Sequence, residues 1–342
     1  YQCDWSSDVC SSDLTLARQH YERTAPMLEA AGVPALLLTG RDKGAARKAK
    51  LLALADGSAK AAFGTHALFQ DEVRFRNLAL VTVDEQHRFG VNERKRLTDK
   101  GEGVHFLSMS ATPIPRTLEL TQYGDLEVSR LNEKPPGRKP IATRAVPTAR
   151  IGDIAARLNE VTAAGAQAYW ICPLVAESEL SDLAAAEARA EDLKKLLKAP
   201  VGLVHGQMRP EEKDAVMTAF LEGRIGVVVA TTVVEVGVDV PNATIMVIEH
   251  AERFGLAQLH QLRGRVGRGS GDSSCILLYE APLSDTARQR LDVLRHSEDG
   301  FEIAEKDWAL RGGGDLLGLK QSGFPDYRIA DPVAQRELLL AA

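Results

Sequence analysis

The stretch LALVTVDEQHRFG, Leu78 to Gly90, places two adjacent carboxylates directly after a run of six mostly apolar residues. The run predicts a strand that is buried on both faces, as in a parallel sheet covered by helices. Ligands gather beyond the carboxyl ends of the strands in such sheets, and Asp84 and Glu85 would lie there. One acid can hold Mg²⁺ while its neighbour deprotonates an attacking water, although adjacent acids at a strand end also occur by chance.

Strands and amphipathic helices alternate on both sides of this stretch, which predicts an α/β fold. Residues Leu16–Gly32 have helical spacing, and the apolar run Ala35–Gly40 follows them. Val104–Met109 is a further apolar strand. The segment EKPPGRKP, Glu133–Pro140, can continue neither a helix nor a central strand, so it predicts a linker. A second alternating domain follows, with predicted strands at Ala168–Val175, Val201–Gly206, Ile225–Thr231, Ala243–Glu249 and Cys275–Glu280.

The composition is that of an ordinary soluble protein. The chain has 342 residues, 44% hydrophobic and 26% charged, which suggests two domains with an appendage. It has no run of about 18 apolar residues and no secretory signal pattern, so we expect a cytoplasmic location. The net charge of −5 excludes little, because a local basic groove can bind nucleic acid inside an acidic whole. Four cysteines without a CxxC pair indicate neither a zinc site nor a disulfide framework, and Cys172 and Cys275 are predicted core residues.

The first fourteen residues are discontinuous with the helical pattern that begins at Thr15. DWSSDVCSSDL, Asp4–Leu14, contains Ser-Ser-Asp twice and has neither helical nor strand periodicity. It is either a real exposed leader or, as we favour, the translation of a sequencing adapter that was read into the gene. On the second interpretation residues 1–14 are not native, Cys3 and Cys10 carry no meaning, and the true chain is truncated upstream. We therefore exclude the segment from the predicted fold.

Two strand-exit segments carry further polar candidates. Ser110 and Thr112 lie in the hydroxyl-rich turn of SMSATPIPRTL, which could link the carboxylates to a second ligand or could be a plain turn. In the second domain, Gly237 and Asp239 lie on the loop of ATTVVEVGVDVP. A carboxylate beside a glycine can approach a ribose hydroxyl, although acids in loops are usually just solvated.

The segment QLHQLRGRVGRG, Gln258–Gly269, holds Arg263, Arg265 and Arg268 within six residues. A run of charges is usually a solvated helix face. The interleaved glycines argue otherwise, because they weaken a helix and allow close approach to a polyanion. A guanidinium donates two hydrogen bonds at once to phosphate. Arg265 and Arg268 are therefore predicted fingers that reach across a cleft between the domains to a γ-phosphate.

Four segments in order resemble motifs II, III, V and VI of the superfamily 2 helicases. They are DEQH at Asp84–His87, SATPIPRTL at Ser110–Leu118, the loop Gly237–Asp239 and QLRGRVGR at Gln261–Arg268. Within that superfamily, DEQHRFGVNER and the C-terminal segment Gly300–Asp331 resemble the RecG branch-migration helicases. The likeness runs from Leu16 to the end of the chain. Transcription-repair coupling translocases are the alternative, but they usually have a second acid where this chain has Gln86.

The resemblance implies an ATP-dependent motor that acts as a monomer on branched or forked duplex DNA. Its fold would be two RecA-like parallel-sheet domains, the first truncated at its N-terminus, with a C-terminal helical hairpin and loop. The implied boundaries are 15–132 for the first domain, 133–147 for the linker, 148–283 for the second domain and 284–342 for the translocation-motif region.

The resemblance also implies roles in ATP hydrolysis, with ATP and Mg²⁺ as the cofactors. Asp84 would bind the Mg²⁺, and Glu85 would be the base that activates water. The residues that would contact the nucleotide from the second domain are Gly237, Asp239, Gln261, Arg265 and Arg268.

Roles on the DNA side follow from the same resemblance. GTHALF, Gly64–Phe69, matches a motif that grips the DNA backbone, with Thr65 and His66 as contacts that carry affinity without reading sequence. The region Gly300–Gly323 matches the translocation motif, although a C-terminal packing element is its alternative interpretation. Its predicted functional residues are Arg311 and Gln321, and those that would couple nucleotide state to DNA are His87, Ser110 and Thr112.

The family's phosphate loop, G-x-x-x-x-G-K-[ST], is absent from these 342 residues. The nearest match, TGRDKGAARK at Thr39–Lys48, has the wrong spacing, and the family's wedge domain is missing too. Nucleotide binding should then be very weak. Two hypotheses remain open: a motor fragment that does not hydrolyse ATP efficiently alone, or an ATP-independent nucleic-acid-binding module of helicase fold. The acids and arginines favour the first.

Overall fold

A computed structural model describes residues 6–10, 14–84, 91–110, 127–131, 133, 137–173, 179–231, 240–267, 269 and 271–315. The chain divides into two compact units, Tyr1–Ala111 and Thr112–Ala342. We call them the first and second units. Each contains a parallel sheet with helices packed against it, which confirms the predicted α/β fold. Within the described part of the chain, no helix is both long and apolar enough to cross a membrane.

The described part of the first unit is one parallel sheet with three α-helices and a short 3₁₀ helix. Its elements are β1 Ser6–Cys10, α1 Leu14–Ala30, β2 Ala35–Leu38, α2 Gly44–Asp56, β3 Ala61–Gly64, the 3₁₀ helix His66–Phe69, β4 Leu78–Val83, α3 Val91–Thr98 and β5 His105–Ser108. The strand order is β2–β3–β1–β4–β5. Helix α1 packs on β2 and β3, and the ring of Tyr21 meets that of Phe63 edge-on at 5.7 Å. The buried strand predicted at Leu78–Val83 is confirmed with its bounds unchanged.

Strand β1 lies inside the segment that we excluded from the predicted fold, so the described sheet contains a strand that the sequence analysis left out. Residues Ser7–Cys10 pair with Ala61–Gly64 of β3 on one side and with β4 on the other. A central strand bonds through its backbone on both sides, so it can form without the side-chain alternation that a half-buried strand shows. The origin of the segment in an adapter stays a prediction.

Strand β5 is the last strand in the described order of the first unit's sheet. Among the described strands it pairs with β4 alone. Leu107 on this strand is 50% exposed, and Met109 just after it is 37% exposed. A strand at the end of a sheet that carries exposed apolar side chains can serve as a template for pairing with another chain. We therefore expect the chain to self-associate through β5.

Leu107→Lys should reduce this self-association, because a charge on an edge strand opposes pairing with another chain. Sedimentation velocity over a range of protein concentrations would measure the aggregated fraction. Leu52→Lys is the matched control, since Leu52 is also exposed but lies on helix α2. Equal effects of the two variants would show that general hydrophobicity, and not the strand edge, causes the association.

The described part of the second unit is a larger parallel sheet with helices. Its elements are β6 Ile141–Pro147, α4 Ile151–Ala163, β7 Gln167–Cys172, α5 Glu179–Leu196, β8 Val201–Val204, α6 Pro210–Leu221, β9 Val227–Thr231, β10 Ala243–Ile248, α7 Leu256–Arg263, β11 Ser273–Tyr279, α8 Asp285–His296 and α9 Gly300–Asp315, with short 3₁₀ helices at Thr148–Arg150 and Ala251–Arg253. The strand order is β6–β11–β10–β7–β9–β8, and all neighbours are parallel. The predicted strands of this domain are confirmed, with ends that differ by up to three residues.

The core of the second unit lies on both faces of this sheet. Tyr169 and Trp170 are neighbours on β7 and belong to different core clusters, as expected where side chains alternate across a strand. Tyr169 contacts Phe220 of α6 with ring centroids 5.0 Å apart. Both strands β7 and β9 are buried along their whole length, which matches their near-continuous apolar sequences.

Strand β6 occupies residues 141–147, the second half of the predicted linker 133–147, and the linker bounds stay a prediction. Residues Ile141–Pro147 pair with β11 from end to end. The strand is at the edge of the sheet and its residues are half-buried or exposed. Pro147 is the last residue of the strand and Pro140 just precedes it, positions where a missing N–H is tolerated. The prolines made this segment resemble a linker, although prolines at the two ends of a strand are compatible with a position at the end of a sheet.

Candidate active site

Polar residues of the first unit lie where three of its parallel strands end. Thr65 follows β3, Asp84 follows β4, and Ser110 lies two residues beyond β5. Parallel strands end at the same edge of a sheet, so the three residues share that edge. The N–H of Met109 donates to the carbonyl of Val83 at 2.8 Å, which holds the exit of β5 against the end of β4. Glu85, His87 and Thr112 lie outside the described residues.

Asp84 is a partly buried carboxylate with a partner that the sequence did not reveal. Its Oδ2 lies 3.0 Å from Nε2 of His20 on α1, and the two side chains are 21% and 30% exposed. Mg²⁺ usually binds through one or two carboxylates, several waters and substrate phosphates. Among the described residues no group of three metal-ligating side chains is present. The Asp84 carboxylate is therefore a group that could contribute one ligand to a Mg²⁺ ion at this strand end.

The turn that carries Thr65 and His66 depends on Gly64. A Cβ atom at this position would lie 2.3 Å from the carbonyl oxygen of Leu38 and 2.8 Å from the side chain of Leu68. Only glycine lets β3 approach β2 this closely while the 3₁₀ helix folds back onto the strand. Leu68 is fully buried and anchors that helix. Thr65 is left half-buried and His66 exposed, accessible to a ligand.

The turn Thr39–Lys43 begins the nearest match to a phosphate loop, Thr39–Lys48, and its hydrogen bonds are internal. The N–H of Thr39 donates to the carboxylate of Asp42 at 2.7 Å. Lys50 forms an ion pair with Asp42 at 2.6 Å and donates to the carbonyl of Leu37 at 2.7 Å. Because this lysine and the Thr39 amide already have internal partners, the turn does not offer the amide cradle of a phosphate site.

In the second unit, helix α7 is followed by a tight turn at residues 264–267 that holds Arg265 and that we call the arginine turn. Gln261 on α7 and Arg265 after it are both half-buried. Val266 is fully buried and anchors the turn. Gly267 has φ +76°, and a Cβ there would lie 3.0 Å from the side chain of Ile141, so the turn requires glycine. The residues of this predicted site that lie outside the described part are Gly237, Asp239 and Arg268.

Arg263 differs from Arg265 in its environment, although the sequence groups them. Its side chain is 3% exposed and donates to the carbonyls of Leu294 and Ser297 at 2.6 and 2.9 Å. Burial lowers the pKa of this guanidinium, but an arginine keeps its charge at neutral pH. Arg263 shares the buried face of α7 with Leu256 and Leu259. That helical spacing is the sequence signal that marks Arg263 as a buried residue, in agreement with the prediction that only Arg265 and Arg268 are fingers.

A second buried charge lies where β7 and β10 end. Glu249 is 4% exposed, accepts a hydrogen bond from Nε1 of Trp170 and forms an ion pair with Arg189 of α5 at 2.5 Å. It therefore joins two strands and a helix. Cys172 and Cys275 are buried, as predicted for core residues, and burial raises the pKa of both thiols.

The C-terminal region is described up to Asp315. Helices α8 and α9 pack against each other and against α7. Arg311 lies in the last turns of α9, and Gln321 lies outside the described residues.

Three family models match successive parts of the chain. They are "DEAD/DEAH box helicase" over residues 9–121, "Helicase conserved C-terminal domain" over 155–270 and "ATP-dependent DNA helicase RecG, domain 3, C-terminal" over 297–341. The chain is 52% identical over 330 residues to the ATP-dependent DNA helicase RecG of Escherichia coli O127:H6 and 48% identical over 324 residues to that of Bacillus subtilis. The chain belongs to the RecG helicase family. These matches cover 95% and 93% of the chain but only 48% and 47% of the relatives, so the chain spans about half their length.

Solved structures agree with this family. A structure of RecG bound to a three-way DNA junction is 41% identical, with a TM-score of 0.77, and covers 98% of this chain and 43% of its own. The Saccharomyces cerevisiae Dbp5 structure bound to RNA and ADP BeF3, at 14% identity and a TM-score of 0.58, covers 92% of this chain and 79% of its own, and shows the shared fold alone. The findings support the RecG family over the two alternatives, a coupling translocase and an ATP-independent module.

Proposed function

We propose that this chain is the motor portion of an ATP-dependent DNA helicase that remodels branched duplex DNA in recombination and repair. Stalled forks and Holliday junctions would be its substrates, and it would act as a monomer at the nucleoid in the cytoplasm. The observation that carries the proposal is the similarity, over 98% of the chain, to a RecG solved with a three-way DNA junction. ATP and Mg²⁺ are the proposed cofactors.

The proposed chemistry in the first unit is water activation beside a bound nucleotide. Mg²⁺, when bound, would neutralise charge on the phosphates. Asp84 would hold that ion through the carboxylate that now accepts from His20. Glu85, the next residue, would orient the attacking water and accept its proton. Ser110 and Thr112 beyond the neighbouring strand, together with His87, would couple this site to DNA.

The proposed task of the second unit is to bind and orient the phosphates. Arg265 follows helix α7 in a turn whose backbone is fixed by the buried Val266 and by Gly267, and we propose that this turn orients its guanidinium toward the phosphates. A pre-positioned donor stabilises developing charge without reorganising during the reaction. The other residues proposed to contact the nucleotide from this unit are Gly237, Asp239, Gln261 and Arg268.

DNA contact is proposed for the exposed turn after β3 and for the C-terminal region. Thr65 and His66 would contact the phosphate backbone from the first unit. Arg311 and Gln321 would act in translocation. Because no G-x-x-x-x-G-K-[ST] loop occurs in the sequence, we propose that these 342 residues alone bind ATP weakly.

The chain should bind a three-way DNA junction in the absence of ATP. Fluorescence anisotropy of a labelled junction would give the Kd, and titration at several salt concentrations would show affinity falling as salt rises. Thr65→Ala combined with His66→Ala should weaken binding by about tenfold, since two phosphate hydrogen bonds contribute about 0.5–1.5 kcal/mol each.

His105→Ala is the control for that double variant, because His105 is an exposed histidine on the same unit. It should leave the Kd unchanged. The absence of junction binding by the unaltered chain would contradict the proposed DNA partner. Equal weakening by the control would remove Thr65 and His66 as contacts.

A further inference from the structure

Arg263 lies on α7, and its side chain caps the C-terminal end of the neighbouring helix α8. Its guanidinium donates to the carbonyl of Leu294 in the last turn of α8 and to the carbonyl of Ser297 just beyond it. The last carbonyls of a helix have no partner within the helix and carry partial negative charge, which a cation there stabilises. Arg263 therefore fixes the end of α8 from the end of α7.

Packing alone does not explain a charge at this position. Arg263 continues the buried face formed by Leu256 and Leu259, where a leucine would fill the same space. Burying a guanidinium is unfavourable before its hydrogen bonds are counted, and apolar residues often replace buried charges without loss of stability. Its third contact is the imidazole Nδ1 of His260 at 3.1 Å, which must accept because a guanidinium only donates. We infer that the guanidinium is present for the hydrogen bonds that it donates, which hold α7 and the end of α8 in a fixed relative position.

The residues that Arg263 holds also form the start of α9. The hydroxyl of Ser297 donates to the carboxylate of Glu302 at 2.5 Å and accepts from the N–H of Asp299 at 3.2 Å. The Asp299 carboxylate in turn accepts from the N–H of Phe301 at 2.8 Å. These bonds join the connection between α8 and α9 to the first turn of α9, so its position follows that of Ser297.

Arg263 thus lies between two predicted functional regions. Arg265 lies two residues after it, in the arginine turn. Arg311 lies near the C-terminal end of α9, the helix whose start Arg263 holds. We propose that Arg263 is a positioning residue that fixes the start of α9 to the arginine turn, so that a displacement of the turn moves α9 with it. Its consequence for DNA rests on the proposed function, whereas the mechanical link stands on the contacts alone.

Hydrogen exchange of the whole chain tests the link directly. Arg263→Leu keeps the apolar packing but removes both carbonyl bonds, so exchange at the amides of residues 297–303 should rise by about tenfold or more. Arg263→Lys retains one cationic donor and should restore part of the protection. Leu291→Ala is the stability control, because it opens a cavity beneath α8, the helix that Arg263 caps, and leaves Arg263 intact. Arg295→Leu is the charge control, since Arg295 lies on the surface of α8.

The expected result is local: faster exchange at residues 297–303 in Arg263→Leu, and weaker binding of a three-way junction than in either control. Exchange that rises evenly over the second unit, or no more than in Leu291→Ala, would overturn the proposal. If the unaltered chain does not bind the junction, the proposed function fails, yet the exchange measurement still decides the role of Arg263. If exchange changes but junction affinity equals that of the controls, the link from Arg263 to DNA is overturned.

Discussion

Glu85→Gln should lower kcat for ATP hydrolysis by about 10²–10⁴-fold, the loss that follows removal of a general base. The measurement needs a protein with a phosphate loop. A chimera that joins the upstream part of the Escherichia coli relative to this chain at Thr15 would supply one. Glutamine keeps the size of Glu85 and one acceptor oxygen but cannot accept the proton, so ATP affinity should change little while kcat falls.

Glu102→Gln is the matched control for this substitution, because Glu102 is an exposed glutamate of the same unit. DNA-stimulated phosphate release, measured with and without junction DNA, would report kcat for all three chimeras. Unchanged turnover in Glu85→Gln would remove Glu85 as the base. The 342-residue chain alone should turn over ATP more slowly than the chimera. Equal turnover would contradict the proposal that ATP binding needs the loop. It would also contradict both hypotheses for the chain, the inefficient motor fragment and the ATP-independent binding module.

Glu249→Ala should destabilise the second unit by about 3–5 kcal/mol, as expected when one partner of a buried charge pair is removed. The substitution leaves the guanidinium of Arg189 and the indole N–H of Trp170 without their carboxylate partner. Urea denaturation would measure the change. In a background with Trp5 and Trp308 replaced by phenylalanine, Trp170 alone reports the transition by fluorescence.

Asp272→Ala provides the comparison, because Asp272 forms its ion pair with Lys139 at the surface and is 91% exposed. Exposed pairs contribute little, so its loss should leave the free energy of unfolding close to that of the unaltered chain. Glu249→Gln keeps an acceptor for the indole and should lie between the two. A loss of stability in Glu249→Ala no larger than in Asp272→Ala would show that the buried cluster does not stabilise the unit.

The sequence predicted the secondary structure best where the pattern of apolar side chains matches the burial of the strand. The run Leu78–Val83 was predicted with its bounds because a central strand buried on both faces needs continuous apolar residues. Strands β1 and β6 were missed because pairing with neighbouring strands, and not their own side-chain pattern, stabilises them. Strand β1 is hydrogen-bonded through its backbone on both sides, and β6 is the last strand in the described order and is flanked by prolines. Neither condition is visible in a single stretch of sequence.

The candidate site divides in the same manner. Asp84 and Arg265 follow from motifs, since adjacent acids and glycine-spaced arginines have recognisable chemistry. His20 was not predicted because it reaches Asp84 from a residue 64 positions away in the chain. Arg263 lies among arginines with a different predicted role, and only its contacts with α8 reveal its own.

The central place of β1 has a practical consequence for where this domain can be cut. Neighbouring strands lie about 4.8 Å apart, so β3 and β4, with one strand between them, are about 9.6 Å apart. A shorter chain begun at Thr15 would leave that gap empty, with the peptide groups of both strands facing each other too far apart to bond. The two halves of the sheet would have to slide together or recruit a foreign strand. Any useful truncation of this domain must therefore keep, or replace, five residues whose side chains hardly suggest a strand.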